Sequence, residues 1–330
     1  MDFKDYCQKN QPAKVLLVHH WDCDGLCCAV LFKQFFKKYY PQTQLELTMP
    51  TINNYFLLTA EYQRIKEFNS EVLIVTDINF ELKIIEELEK ICPSVFVFDH
   101  HAQTAHIHRP GKQDTVYPGC SMLVAEYFNQ ADSLLAILGM IGDQEDRLQG
   151  NEKFFPKVEQ AINQYGISLQ QLLKITHLAD TAYIRGKLSD VYYVLDLLLQ
   201  DPTAILKNER LLANEDLIKK EIDREIQKEM QTVGQHLLYQ NIASAMNIIS
   251  PIARAKSRQH PHDIVMIDQV NGLTANIYLR HRQENLDLGK VVAQARVHGY
   301  NAGGKAEVAG IILPAAEATS FKQEIIKLLS

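Results

Sequence analysis

Four short, almost wholly apolar runs alternate with stretches of helical period in the N-terminal part of the chain, and no other feature constrains its fold as much. The runs are Val15 to His20, Leu45 to Met49, Val72 to Thr76 and Val95 to Phe98; the helical stretches are Leu26 to Tyr39, Tyr55 to Phe68 and Glu81 to Ile91. Strands joined by helical crossovers run parallel, and strands without a polar face must be covered on both sides. The spacing therefore predicts an α/β fold built on a parallel N-terminal sheet. From Ser121 to about Leu199 apolar residues recur every three or four positions, which predicts a helical cap on that sheet. Residues 213–239 hold a charged amphipathic stretch with Leu217, Ile222, Ile226 and Met230 on one stripe, the pattern of a long connector helix. Strand-like runs return at Ile242 to Ile249, Ile264 to Ile267, Asn276 to Leu279 and Val308 to Leu313, followed by a helical Glu317 to Leu328. With 330 residues, more than one core is expected: a domain over 1–200, a connector over 201–240 and a smaller α/β domain over 241–330.

A formal net charge of -6 argues against a protein that coats long nucleic acid by charge alone, yet leaves room for a short or metal-bridged phosphate substrate. The charge is uneven: -7 over residues 1–150, -2 over 151–240 and +3 over 241–330. No apolar run approaches the roughly 18 residues of a membrane span, and the first residues lack a basic-then-apolar leader, so the chain reads as cytoplasmic. Cys7, Cys23, Cys27, Cys28, Cys92 and Cys120 include no paired CxxC motifs for zinc and read as small core residues in a reducing compartment.

Polar residues gather where the predicted strands end. The first strand runs into His20-Trp21-Asp22-Cys23-Asp24-Gly25; on an extended chain, residues two apart point the same way, so His20, Asp22 and Asp24 share a face. The third strand ends at Asp77, the fourth at Asp99-His100-His101, and Asp143 follows Gly139-Met140-Ile141-Gly142. One such Asp is commonly a helix cap. So many at the carboxyl edge of one sheet, where open α/β folds bind ligands, are costly to bury unless cations neutralise them. Carboxylates mixed with imidazole suit two divalent ions, manganese before magnesium, and such a pair clamps a phosphoryl group.

This ordered set, His20-x-Asp22-x-Asp24-Gly25, Asp77, Asp99-His100-His101 and Asp143, resembles the motifs of the DHH phosphoesterase superfamily. The superfamily includes RecJ-like exonucleases, nano-RNases, cyclic-dinucleotide phosphodiesterases and family II pyrophosphatases. The resemblance implies that Asp22, Asp24, Asp77, His100 and Asp143 are metal ligands, with Asp77 bridging two ions. It also implies that His101 faces the substrate phosphate and that Asp99 orients a histidine. Some members carry a histidine four residues before the first motif Asp; Val18 stands there in this chain, so His20 follows the more compact variant, as ligand or substrate contact. His106 and His108 fall outside the motifs and are assigned to a surface loop.

Residues 299–310, Gly-Tyr-Asn-Ala-Gly-Gly-Lys-Ala-Glu-Val-Ala-Gly, come close to a phosphate-binding P-loop. Ala306, however, stands where Ser or Thr must hold magnesium, and a strand-like run follows where a helix is needed. Gly303-Gly304-Lys305 with Ala309-Gly310 is instead similar to the Gly-Gly-His motif of the DHH-associated domain, with Lys305 in place of the histidine. That resemblance implies substrate contact by Gly303, Gly304 and Lys305, and Arg280, Arg282 and Arg296 are further phosphate-binding candidates. The expected function is a two-metal phosphodiesterase acting on short oligonucleotides or single-stranded ends. The rivals are a cyclic-dinucleotide or other small-nucleotide hydrolase and a non-catalytic DHH-fold subunit of a replication or repair assembly. A homodimer is compatible with the sequence.

Overall fold

The computed structural model describes residues 1–54, 56–102, 108–283 and 286–329, with only the backbone described at Lys305. The chain divides into two units: Met1–Tyr183 with Lys187–Leu212, and Ile184–Gly186 with Ala213–Ser330.

The first unit begins with α1 (Phe3–Asn10), β1 (Lys14–His19), α2 (Cys23–Tyr39), β2 (Gln44–Thr48), α3 (Thr59–Phe68), β3 (Val72–Thr76), α4 (Leu82–Ile91) and β4 (Val95–Asp99). With β5 (Gly111–Gln113) the strands form a parallel sheet in the order β2-β1-β3-β4-β5. Strand side chains alternate between two covered faces. Val15, Leu17, Val72, Ile74, Phe96 and Phe98 join the core of α2 and the cap, while Leu16, Val18, Leu73, Val75, Val95 and Val97 join Ile65 of α3 and Ile85 and Leu88 of α4. The cap is α5 (Cys120–Tyr127), α6 (Leu134–Gln144), a 3-10 segment Glu145–Gly150, α7 (Phe155–Tyr165), α8 (Leu169–Ile184) and α9 (Leu188–Gln200). All six cysteines are buried and unpaired.

Helix α10 (Glu209–Gln227) begins in the first unit and continues into the second. There follow β6 (Gln231–Gly234), β7 (Leu237–Ile242), α11 (Ile249–Gln259), β8 (Ile264–Asn271), β9 (Thr274–Arg280), α12 (Gly289–Val297), β10 (Asn301–Lys305), β11 (Val308–Pro314) and α13 (Ala318–Leu329). The sheet order is β10-β11-β9-β8-β7-β6, with β7 and β8 parallel and all other neighbours antiparallel.

Several sequence readings change. The connector helix expected over 213–239 ends at Gln227, and β6 and the start of β7 occupy the rest of that stretch. The strand expected over Ile242 to Ile249 lies earlier, as β7, and Ile249 opens α11; the residues between form a turn in which Ser244 Oγ accepts the Met246 N–H at 3.1 Å. Leu217 of α10 is exposed, and the stripe runs instead through Ile218, Ile222, Ile226 and the post-helical Met230, whose four-residue step brings side chains onto one face. Strand β5 went unseen because Gly-Lys-Gln, three partly buried residues at the sheet edge, has no apolar alternation to read.

A buried ionic knot pins α13 to the second sheet. Asp268, 1% exposed, accepts Lys322 Nζ at 2.5 Å, Tyr239 Oη at 2.7 Å and Asn241 Nδ2 at 2.9 Å. Removing one partner of a buried pair leaves an uncompensated charge, so Asp268→Ala is expected to cost about 3–5 kcal/mol. The urea midpoint measures this, and an unchanged midpoint would remove the knot from the account of stability.

Candidate metal centre

The carboxyl ends of β1, β3 and β4 deliver the predicted residues to one place. Asp22 caps α2 in extended conformation, its Oδ1 accepting the Gly25 N–H at 3.1 Å and its Oδ2 lying 2.7 Å from His20 Nδ1. Asp77 follows β3 with a left-handed φ of 57°, a conformation in which Asp and Asn are enriched. Its amide donates to the Phe98 carbonyl at 3.0 Å, fixing the turn to the neighbouring strand. Asp99 ends β4, and its Oδ1 accepts both the His101 N–H at 2.9 Å and His101 Nδ1 at 2.6 Å. His100 Nδ1 lies 3.1 Å from the Tyr117 carbonyl and donates to it, leaving Nε2 2.9 Å from Asp143 Oδ2 and 3.6 Å from Asp77 Oδ1.

Asp24, in the first turn of α2 and 1% exposed, is also a structural tie. Its Oδ2 accepts the Cys120 N–H at 2.5 Å and its Oδ1 the Ser121 N–H at 2.9 Å, so it caps α5 from another helix. That contact requires Gly139: a Cβ there would stand 2.1 Å from Asp24 Oδ1 and 2.0 Å from Ser121 Oγ.

Among the described residues, ligand-type atoms fall into three clusters, each within 4.8 Å: Asp77, Asp99, His100 and His101; His20, Asp22 and Asp77; Asp24, His100 and Asp143. The residues fit divalent cations. Buried Asp77 Oδ2 and Asp99 Oδ2 have no hydrogen-bond partner among the described residues, and buried carboxylate oxygens are normally satisfied. Burial, then the charges of Asp24 and Asp22, raises the Asp77 pKa well above the carboxylate range, and burial, then Asp143, raises Asp24 to about 6. Burial alone would lower His100 and His101. The Asp143 hydrogen bond with the Asp24 and Asp143 charges takes His100 up to about 10, and Asp99 raises His101 above its ordinary value. Protons here balance charge that a cation would balance instead.

In the second unit, paired residues across strands share a face. Gly303, Gly310 and Tyr278 form one row, and Val308 and Arg280 the next on the same side, with Lys305 paired to Val308 in the backbone register. A Cβ on Gly303 would meet nothing within 4 Å, whereas one on Gly304 would stand 2.0 Å from the Val308 carbonyl, so Gly304 permits strand pairing and Gly303 leaves open space. Arg282 is exposed beyond β9. Arg296 is not brought to this face: it lies on α12, whose Val291, Val292 and Ala295 pack with Ala302 and Ile311 on the opposite side, and its Nε donates to the Ala302 carbonyl at 3.1 Å. The strand β11 after the glycines, in place of a helix, excludes the P-loop reading. His106 lies outside the described residues, and His108 is exposed.

Sequence reading missed Asp180 of α8, whose Oδ1 accepts the Cys23 N–H at 2.8 Å, and the amides of Cys120 and Ser121. A lone acid in the apolar stretch Leu178-Ala179-Asp180-Thr181-Ala182 was the available signal for the first. Gly119 ahead of an apolar helix was the signal for the second.

The sheet with its strand-end acids and histidines defines an α/β protein of the DHH phosphoesterase fold. Residues 14–141 match the DHH family, N-terminal domain, so this part of the chain carries that domain. Among solved structures it is similar to exonuclease RecJ bound to manganese, at 16% identity over 96% of this chain and 90% of that one, with a TM-score of 0.66. It is similar to a DHH domain from a ribosomal-protein family, at 14% identity over 95% and 87%, with a TM-score of 0.68. CDC45 from Entamoeba histolytica matches at 11% identity over 97% and 95%, with a TM-score of 0.54. These likenesses are of fold. No curated protein matches by sequence. Among the described residues no helix is long and apolar enough to cross a membrane.

Proposed function

We propose that the chain is a divalent-metal-dependent phosphodiesterase that hydrolyses short oligonucleotides or the ends of single-stranded nucleic acid. The observation that carries this reading is the chaining of the clusters: Asp77 links the His20–Asp22 group to the one containing His100, and His100 links that one to Asp24 and Asp143, which makes room for neighbouring cations. In this reading His20, Asp22 and Asp77 would hold one ion and Asp24, His100 and Asp143 the other. Manganese suits the donor set, and magnesium is the alternative. Bound ions of this kind polarise phosphoryl oxygens and lower the pKa of water.

The chain's own residues supply orientation and a proton. Asp99 fixes the His101 ring through Nδ1 and favours its protonated form, so His101 can stabilise charge developing on the phosphate and donate to a leaving oxygen. Loss of that hold should be seen in turnover: Asp99→Asn is expected to lower kcat by about 10–100-fold with KM little changed, and an unaltered kcat would detach Asp99 from the chemistry. The first unit would be the catalytic domain and the second the DHH-associated substrate domain. The open Gly303 row, Gly304, Arg280 and Lys305 would contact the substrate backbone, with Arg282 at its margin. The +3 charge of residues 241–330 supports that assignment.

The test is a panel of short RNA, single-stranded DNA, a cyclic dinucleotide and pyrophosphate, each with Mn2+ or Mg2+. Mononucleotide release from the linear oligomers is expected. Phosphate release from pyrophosphate alone would refute this reading; manganese binding without hydrolysis of any substrate would favour a binding subunit.

A further inference from the structure

Asp180 lies outside all three ligand clusters, yet it is bonded to the residue between two proposed ligands. Cys23 separates Asp22 from Asp24 and opens α2, and its N–H donates to Asp180 Oδ1 at 2.8 Å. The first N–H groups of a helix have no partner within it. Here Asp22 takes that of Gly25 through its side chain and that of Leu26 through its carbonyl, and Asp180 takes that of Cys23 from a different helix. The Cys23 side chain, 1% exposed and packed in the core that includes α6, anchors the same residue from its other side. The strand-to-helix turn carrying Asp22 and Asp24 is therefore held at its midpoint by α8.

The choice of residue is informative. Asp180 stands on an otherwise apolar stretch and near Asp22, Asp143 and Glu145, where a further carboxylate is unfavourable. Asp180 is half-buried, and the bond to the Cys23 amide gives its carboxylate a partner in that setting.

On the metal reading above, we propose that Asp180 is a positioning residue: it fixes the Cys23 amide, and through it the spacing at which Asp22 and Asp24 face the cations. Its role is that of an acceptor. Asparagine presents the same Oδ1 to the amide and should substitute for it, whereas leucine removes the acceptor.

The experiment compares the full-length chain with Asp180→Asn and Asp180→Leu by two readouts. The first is amide hydrogen exchange of the segment containing Cys23, measured without metal. The second is Mn2+ affinity by calorimetry. Asp180→Leu should speed exchange by about tenfold or more and weaken Mn2+ binding by about 10–100-fold, while Asp180→Asn stays close to the parent in both. Parental exchange and affinity in Asp180→Leu would overturn the proposal, as would Asp180→Asn falling as far as Asp180→Leu, because charge and not the bond would then be responsible. Should Asp180→Leu fail to fold, Asp180→Ala takes its place with the same expectations. A parent that binds no Mn2+ refutes the metal reading alone, and the exchange comparison still decides whether Asp180 holds the turn.

Discussion

Asp77→Asn is expected to abolish phosphodiester hydrolysis while leaving the metal-free protein folded and more resistant to denaturation than the parent. Asparagine tolerates the left-handed conformation that residue 77 adopts, so the turn after β3 and its bond to Phe98 survive the exchange. What is lost is the negative charge on the residue that two ligand clusters share. Metal ions contribute several kcal/mol of transition-state stabilisation, and each 1.36 kcal/mol is tenfold in rate, so turnover should fall by at least ~10³-fold. The stability gain has a separate cause. Without cations, a 2%-exposed carboxylate beside Asp22 and Asp24 is an unfavourable charge, and its neutral isostere removes the repulsion. Steady-state kinetics and thermal unfolding of metal-free protein check the two halves. Substantial residual turnover would take Asp77 out of the catalytic site.

The second large effect is expected at Gly139, a residue with no functional group. A single added methyl would enter the space of Ser121 Oγ and Asp24 Oδ1, atoms the structure places 2.0 and 2.1 Å from where its Cβ would be. Both neighbours are bound in place, Ser121 Oγ to the Ala136 carbonyl and Asp24 to two amides of α5. Overpacking costs about 1–3 kcal/mol, and breaking hydrogen bonds to a charged group adds about 1.5–3 kcal/mol. Gly139→Ala should therefore lose about 3 kcal/mol or more in a denaturant titration and bind Mn2+ poorly, because Asp24 cannot stay in place. Parental stability together with parental metal affinity would refute the packing argument.

The sequence was most readable where one physical demand governed each residue. The doubly buried strands β1, β3 and β4 needed apolar side chains on both faces, and their acids and histidines emerged together at the carboxyl edge because strand ends in a parallel sheet are neighbours in space. It was least readable where one residue answers two demands. Asp24 looks only like a ligand in the sequence, but its cap on α5 depends on amides about a hundred positions away. Asp180 is likewise silent, since its partner Cys23 is remote and contributes only backbone. In the second unit the errors were of register. The four-residue series of α10 runs through Ile218, one position after the reading from Leu217, and β7 ends where a strand was expected to begin.

The short insertion Ile184–Gly186 changes how this chain can be divided. The backbone passes between units three times, after Tyr183, after Gly186 and after Leu212, so no single scission separates two complete pieces. A fragment starting at Ala213 would lack the Ile184 carbonyl, which accepts the Asn247 N–H at 2.7 Å. Gene dissection at the apparent linker would thus yield a C-terminal piece missing part of its own framework. Exchange of modules between relatives would succeed only if these three residues travelled with the module they support.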